Sequence, residues 1–384
     1  MSFDSSKVAI NQLCCVVTCQ SNKKRRVYTT ILTAIYLAIV LLFSVRTEAF
    51  VADALQRPAT KTQLGTHSVL LGADYADKRV VVVGERGLIL LSDDQGNTWQ
   101  QAESPVSVTL TAVKFFDGQI GYAVGHSGVV LKTENAGQHW SIETNGIDFA
   151  NLLLDQAKRT HDEMAIATAQ RFVDDGPDKP LLDLLLLGPK HLVVIGAYGL
   201  AFESRDGGQT WQSWFDRIGN PMGMHLYSIR KAGARILLSG EQGFIALSTD
   251  NGRTFQTLTS PYEGSFFTAQ LIQQQGIVLA GLRGNAFVSH DNGVQWDQLA
   301  VPVPASISAS TITPNGQLLF ANQAGILLRL NDEKLVPVSS KPMPQLTNLL
   351  SQHDDRLLAL SVRGPIALLL EGDQLEDDKF GDEK

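Results

Sequence analysis

Cysteine is nearly absent from this 384-residue chain: Cys14, Cys15 and Cys19 precede residue 20 and none follows. The rest of the chain can therefore form no disulfide and no thiolate metal site. Aromatic residues are few, at 7%. Positive charge is scarce where it would matter for nucleic acid. Residues 1–46 carry six Lys and Arg against Asp4, a net of +5, so the overall −7 leaves −12 on the remaining 338 residues. An acidic body of that kind repels a phosphate backbone, which excludes nucleic-acid binding. No glycine-rich phosphate loop or nucleophile elbow occurs, and His161, His191 and His225 lack ligand spacing. No catalytic set, no cofactor and no metal is therefore expected. What is plentiful is glycine, 33 residues, alongside 44% apolar residues, a mixture that suits a globular chain with many tight turns.

The N-terminus differs from the rest. Lys23-Lys24-Arg25-Arg26 precedes an uncharged stretch from Val27 to Val45, closed by Arg46. Nineteen such residues at ~1.5 Å rise come close to the thickness of a bilayer core. A basic flank ahead of an apolar run keeps the N-terminus inside and sends the following chain across the membrane. Residues 1–49 read as a cytoplasmic lead plus a signal peptide or membrane anchor, with the apolar segment at 27–45. Either form puts the body outside the cytoplasm, in a bacterial periplasm at the inner membrane.

One segment recurs through the body. Val80–Val83, then Gly84-Glu85-Arg86-Gly87, then Leu88–Leu91 lead into Ser92-Asp93-Asp94-Gln95-Gly96-Asn97-Thr98-Trp99. Later copies carry Gly125/Gly128, Gly196/Gly199, Gly240/Gly243 and Gly281/Gly284, with degenerate copies around Gly325 and Gly364. Taking the second glycine as marker, the intervals are 41, 71, 44, 41, 41 and 39 residues. Each unit reads as four short strands, and four strands at ~40–50 residues is the spacing of propeller blades. The expected fold is all-β: a seven-bladed β-propeller over residues 50–372, with an N-terminal membrane-targeting segment and one helical insertion. That insertion, about 148–178, has helical periodicity from Phe149 to Phe172, with Asp148 as the expected N-cap. Pro180–Leu187 reads as the innermost strand of the third blade, and 373–384 as an acidic tail.

The boxes contain Asp94, Asn135, Asp206, Asp250 and Asp291, followed by Trp99, Trp140, Trp211, Phe255 and Trp296. One carboxylate per blade, far from its neighbours, reads as turn scaffold and not as a metal array. These boxes resemble the Asp-box (BNR) repeats of sialidases and other propellers. The body as a whole, with the stretch Gly176-Pro177-Asp178-Lys179-Pro180 before Leu181, resembles the photosystem II stability/assembly factor family, in its branch from non-photosynthetic bacteria. That resemblance implies a non-enzymatic protein that docks on an unassembled membrane subunit through an arginine patch. A sialidase would show a Phe/Tyr-Arg-Ile-Pro element early in the chain; the nearest sequence here is Arg217-Ile218-Gly219-Asn220-Pro221.

The residue before the second glycine of each turn is, blade by blade, Arg86, Ser127, Tyr198, Gln242, Arg283, Ala324 and Arg363. The arginines fall in blades five, seven and one, on one arc of the ring, and suit a carboxylate or an acidic peptide segment. Asp183 interrupts an apolar inner strand where parallel positions hold small or polar residues such as Ala112, Ala269 and Asn348. It is a second candidate for partner binding, set against a channel carboxylate bonded to backbone or water. The expected function is a monomeric, non-catalytic propeller that docks on and helps assemble or stabilise a membrane protein complex or transporter. The alternative is a glycan-binding or glycoside-hydrolysing propeller, for which Trp214 is the tryptophan left over for sugar stacking.

Overall fold

The computed structural model describes residues 53–377 apart from 273–274, 339–340, 353–355 and 372–373. The expected lead 1–49, its apolar segment 27–45 and the last seven residues of the expected tail lie outside that set. No helix among the described residues is long and apolar enough to cross a membrane.

The described residues form seven four-stranded antiparallel sheets, each built from consecutive strands in the order one-two-three-four. Their first strands are Leu70–Ala76, Leu110–Phe115, Leu181–Gly188, Leu226–Ala232, Phe266–Ile272, Ile307–Ile312 and Leu346–Ser351. Each first strand touches those of the neighbouring sheets, and the seventh touches the first, so they line a closed ring. The second strands are the most apolar. Val80 to Val83 are all fully buried, because both faces of a blade pack against neighbours and strict alternation would place polar groups in a seam. Each of the seven seams holds its own apolar cluster.

The seventh sheet draws all four strands from Leu346 onward, ending with Gln374–Asp377. Four residues assigned to the acidic tail are thus an edge strand, hydrogen-bonded to Leu368–Glu371. Among the described residues no strand is shared between blades seven and one. The ring closes through Leu350, Leu358 and Leu360 packed on Leu70, Val82 and Trp99. It is also tied by Thr347 Oγ1 donating to Leu70 O (2.5 Å) and Asn348 Nδ2 to Leu71 O (2.7 Å).

Every first strand carries a β-bulge at its second residue. The residues that follow the bulge are Gly72, Ala112, Asp183, Ser228, Thr268, Ala309 and Asn348. Thr268, and not Ala269, is therefore the counterpart of Asp183, each being the third residue of its strand, directly after the bulge.

Between blades two and three lie helix α1 (Gly146–Thr160) and helix α2 (Glu163–Asp174). The continuous periodicity expected from Phe149 to Phe172 is broken at His161, which takes φ 56°, and Asp162 starts a new helix by accepting from Met164 N and Ala165 N. Asp148 is not the N-cap. Asn145 caps α1 through Ile147 N (2.8 Å), and Asp148 Oδ2 accepts from Asn145 N in return (3.2 Å), a capping box. Phe149 anchors the pair: it stacks on Phe202 at 4.1 Å and meets the edge of Trp211 at 5.3 Å. Phe149→Ala should remove about 3–5 kcal/mol of packing. Hydrogen exchange across 146–174 should then accelerate more than exchange in blades five and six.

Candidate functional site

An up-and-down blade puts its two-to-three turn and its connection to the next blade on one face. The one-to-two and three-to-four turns emerge on the other. The Asp boxes and the arginine turns therefore occupy opposite faces.

On the box face each acidic residue is consumed by its own turn. Asp206 accepts from Ser204 Oγ (2.9 Å), Thr210 N (2.9 Å) and Thr210 Oγ1 (2.6 Å). Asp94 and Asp250 repeat this with Thr98 and Thr254, Asp291 uses Gln295 N, and Asn135 uses His139 N. Trp99, Trp140 and Trp211 donate Nε1 to the carbonyl of the box glycine. Trp296 reaches instead to Thr259 O of blade four (3.1 Å), and Phe255 tilts against Trp214. Hydrogen bonds from Thr210 hold Asp206 down at about 2, and similar bonds from Thr98, Thr254 and Gln295 lower Asp94, Asp250 and Asp291. A carboxyl depressed in the fold stabilises it above its unfolded value near 4 and loses that contribution as the pH falls through the folded value. Tryptophan fluorescence should therefore report opening of the boxes between about pH 4 and 2. Asp206→Asn, which keeps the acceptor as Asn135 does in blade two, should reduce that dependence.

On the opposite face the turns are built from two close approaches. Gly84 is extended, and a Cβ there would strike Val69 O; Gly87 takes φ 73°, and a Cβ there would strike Val106 O of the next blade. The residue between them is left-handed as well. Arg86, Ser127, Tyr198, Gln242 and Arg283 all have φ between 51° and 57°. A non-glycine residue there costs roughly 1–2 kcal/mol that glycine would avoid, so five such positions carry side chains against the conformational preference. Arg363 lies on the same face in a tighter hairpin, with Ser361 paired to Gly364 and without a positive φ.

Each turn abuts the start of the next blade's first strand. Arg283 N donates to Ser306 Oγ (3.1 Å), and Gly364 lies against Thr66. Arg283, Arg363 and Arg86 thus mark the seams five/six, seven/one and one/two, with Ala324 of blade six between. All three are exposed, and none forms an ion pair among the described residues. Glu85, the acid adjoining Arg86, is turned onto Val69 N (3.0 Å) and leaves the guanidinium unneutralised. An open groove of about 370 Å³ lies beside Arg283, lined by Asn285, Gln298, Val301 and Pro304.

Asp183 does not join this set. It is 6% exposed; Oδ2 accepts from Ile229 N (3.0 Å) and Arg230 Nη1 (2.5 Å) of blade four, and Oδ1 from Leu184 N. It bonds two blades together, with both carboxylate oxygens engaged within the protein. Trp214 is 1% exposed and donates Nε1 to Glu203, so it offers no surface for a sugar. Among the described residues no group of three or more His, Cys, Asp or Glu could hold a metal.

Two features escaped the sequence reading. Glu203 is a buried carboxylate shared by His191, Arg205, Trp214 and Arg217, partners up to 14 residues away. The second is a run of rings on the arginine face: Phe172, Tyr198, His225, Tyr227 and Phe267. Their sequence signal is weak, since only the bulge register places Tyr227 and Phe267 in equivalent positions.

Residues 51–145 match the family model described as photosynthesis system II assembly factor YCF48. The chain resembles that family. A curated relative, the photosystem II assembly protein Ycf48 of Synechococcus sp. (strain JA-2-3B'a(2-13)), is 26% identical over a 178-residue alignment that covers 41% of this chain and 52% of the relative. The match thus spans about half the relative's length. Among solved structures, one described as YCF48 bound to D1 peptide aligns at TM-score 0.59 and 18% identity, covering 84% of this chain and 99% of that one. YCF48 from Cyanidioschyzon merolae aligns at TM-score 0.57 and 16% identity, covering 78% and 95%. At such identities the structural likeness is one of fold, and it agrees with the seven-bladed propeller read from the repeats.

Proposed function

We propose that this protein is a non-catalytic docking propeller that binds a carboxylate-bearing segment of a membrane protein or complex and helps assemble or stabilise it. The observation that carries this reading is the set of exposed, unneutralised arginines, Arg86, Arg283 and Arg363, on one face of an acidic body. Unpaired guanidinium groups are suited to bidentate capture of carboxylates. The resemblance to the Ycf48 family supports a protein ligand, since a similar propeller is described as bound to a peptide. Placement outside the cytoplasm rests on the basic-then-apolar segment at 23–45. Burial of Trp214 counts against the glycan alternative.

The test is crosslinking and co-purification from membranes, comparing the intact chain with its Arg86→Glu, Arg283→Glu, Arg363→Glu variant. A membrane protein recovered with the first and lost with a variant of unchanged thermal stability is the expected result. Equal recovery would make the arc ordinary surface and overturn the reading.

A further inference from the structure

We infer that the docking face has a second, apolar subsite: Phe172, Tyr198, Tyr227 and Phe267 form an aromatic ledge that receives a bulky apolar side chain of the same segment whose carboxylates meet the arginines. This rests on the docking reading above and adds a specificity to it.

The rings follow one another from α2 through blades three and four to blade five. Phe172 lies 6.2 Å from Tyr198, Tyr198 5.1 Å from His225, His225 6.3 Å from Tyr227, and Tyr227 5.2 Å from Phe267. Blade five carries both the last ring and Arg283, which places the ledge and the cationic arc on adjoining sectors of one face. Tyr198 is 50% exposed although it is aromatic and left-handed, and its N–H is held by His225 Nδ1 (2.9 Å). The fold does not require an aromatic there, because Ser127 and Gln242 occupy the same turn position in adjoining blades.

The bulge position supports the same conclusion. In blades two, six and seven it holds Thr111, Ser308 and Thr347, whose hydroxyls donate to the first-strand carbonyl of the next blade at 2.7, 2.8 and 2.5 Å. Blades four and five forgo that staple for Tyr227 and Phe267. Met222, 77% exposed in the connection from blade three to four, adds a soft apolar group on this face.

The occupant is an extended peptide and not a sugar. Successive rings stand at 84°, 64°, 84° and 65° to one another. Edges set against faces leave notches for a side chain, whereas stacking on a sugar needs a flat exposed ring. Charge complementarity with the arginine arc and apolar complementarity with the ledge then define one ligand: acidic residues with a Phe, Trp, Leu or Ile at a set spacing.

The experiment presents the intact chain with random dodecapeptides displayed with free carboxy-termini, and with a glycan array. Two variants accompany it: Tyr198→Ser with Phe267→Thr, residues that the same turn and bulge already accommodate in other blades, and Arg86→Gln with Arg283→Gln and Arg363→Gln. The expected result is enrichment of acidic peptides with one apolar position. The aromatic variant should keep the acidic preference, lose the apolar position, and bind a selected peptide about tenfold more weakly or worse. The arginine variant should lose the acidic preference. Acidic enrichment with no apolar position, or unchanged by the aromatic variant, overturns the ledge and leaves the docking reading intact. No enrichment, or enrichment indifferent to the arginines, overturns the docking reading and the ledge with it. Oligosaccharide binding lost in the aromatic variant overturns the peptide assignment in favour of a sugar.

Discussion

Replacing Glu203 by alanine is expected to lower the thermal unfolding midpoint by on the order of 5–10 °C. Glu203 is 3% exposed and accepts four hydrogen bonds. Oε1 takes His191 Nε2 (2.7 Å) and Arg205 Nη2 (2.8 Å), while Oε2 takes Arg217 Nη1 (3.0 Å) and Trp214 Nε1 (3.2 Å). Removing the carboxylate strands the buried indole N–H and releases Arg217, which also lies over the Trp214 ring. Breaking a buried charge cluster from one side costs about 3–5 kcal/mol, more than the cluster adds relative to apolar packing. Glu203→Gln keeps an acceptor and should cost roughly half of that.

The pH dependence has a definite sign. Burial pushes the Glu203 carboxyl up, but the bonds from His191, Trp214 and Arg217 outweigh it and hold the group below its ordinary value. Its contribution is therefore complete above pH ~4.3 and fades as the pH falls through the folded value. Scanning calorimetry of wild type and Glu203→Gln should show a gap at pH 7 that narrows near pH 3.5. A gap unchanged across that range would mean that the charge contributes nothing and only the packing matters. The cluster lies within blade three and its outgoing connection, beside the seam with blade four. Asp183 is the carboxylate that crosses that seam, bonding the blade that carries Tyr198 to the blade that carries His225 and Tyr227.

Much of this architecture is legible in the chain because its determinants are local. The Gly84/Gly87 turn and the Asp94 box each close within a few residues, so their recurrence counts the blades directly. The arginine arc follows from that count, since turn position decides the face. What was illegible depends on distance or on one-residue shifts. Asp183 finds its partners across a seam, and Glu203 gathers its own from separate segments between His191 and Arg217. The break at His161 depends on a left-handed residue that leaves the apolar periodicity almost unaltered. Thr268 rather than Ala269 matches Asp183, as the equal spacing to Gly284 and Gly199 shows once the turn glycines are used as the marker. Trp214 reads as a spare tryptophan until the 3–4 connection folds it beneath Phe255. Gln374–Asp377 reads as acidic tail because its pairing with Leu368–Glu371 completes a blade that lacks a box.

Adjacent positions in one turn should respond in opposite ways, and this separates scaffold from function. Gly87→Ala places a methyl at φ 73° against the carbonyl oxygen of Val106. The left-handed conformation alone costs about 1–2 kcal/mol, and the backbone of the neighbouring blade cannot yield without opening the one/two seam. A loss above about 4 kcal/mol, seen as insoluble protein or a collapsed unfolding midpoint, is expected. Arg86→Gly, one residue earlier at φ 55°, removes the same kind of strain. The gain is offset by the extra freedom of glycine in the unfolded chain, so stability should stay within about 0.5–1 kcal/mol of wild type. On that outcome the fold gains nothing from a side chain at residue 86, and the arginine there serves another role. If Arg86→Gly remains stable and weakens partner recovery, that role is binding. Stability lost on Arg86→Gly would instead assign the guanidinium a structural role, and a Gly87→Ala variant as stable as wild type would mean that the seam can part to admit a methyl group.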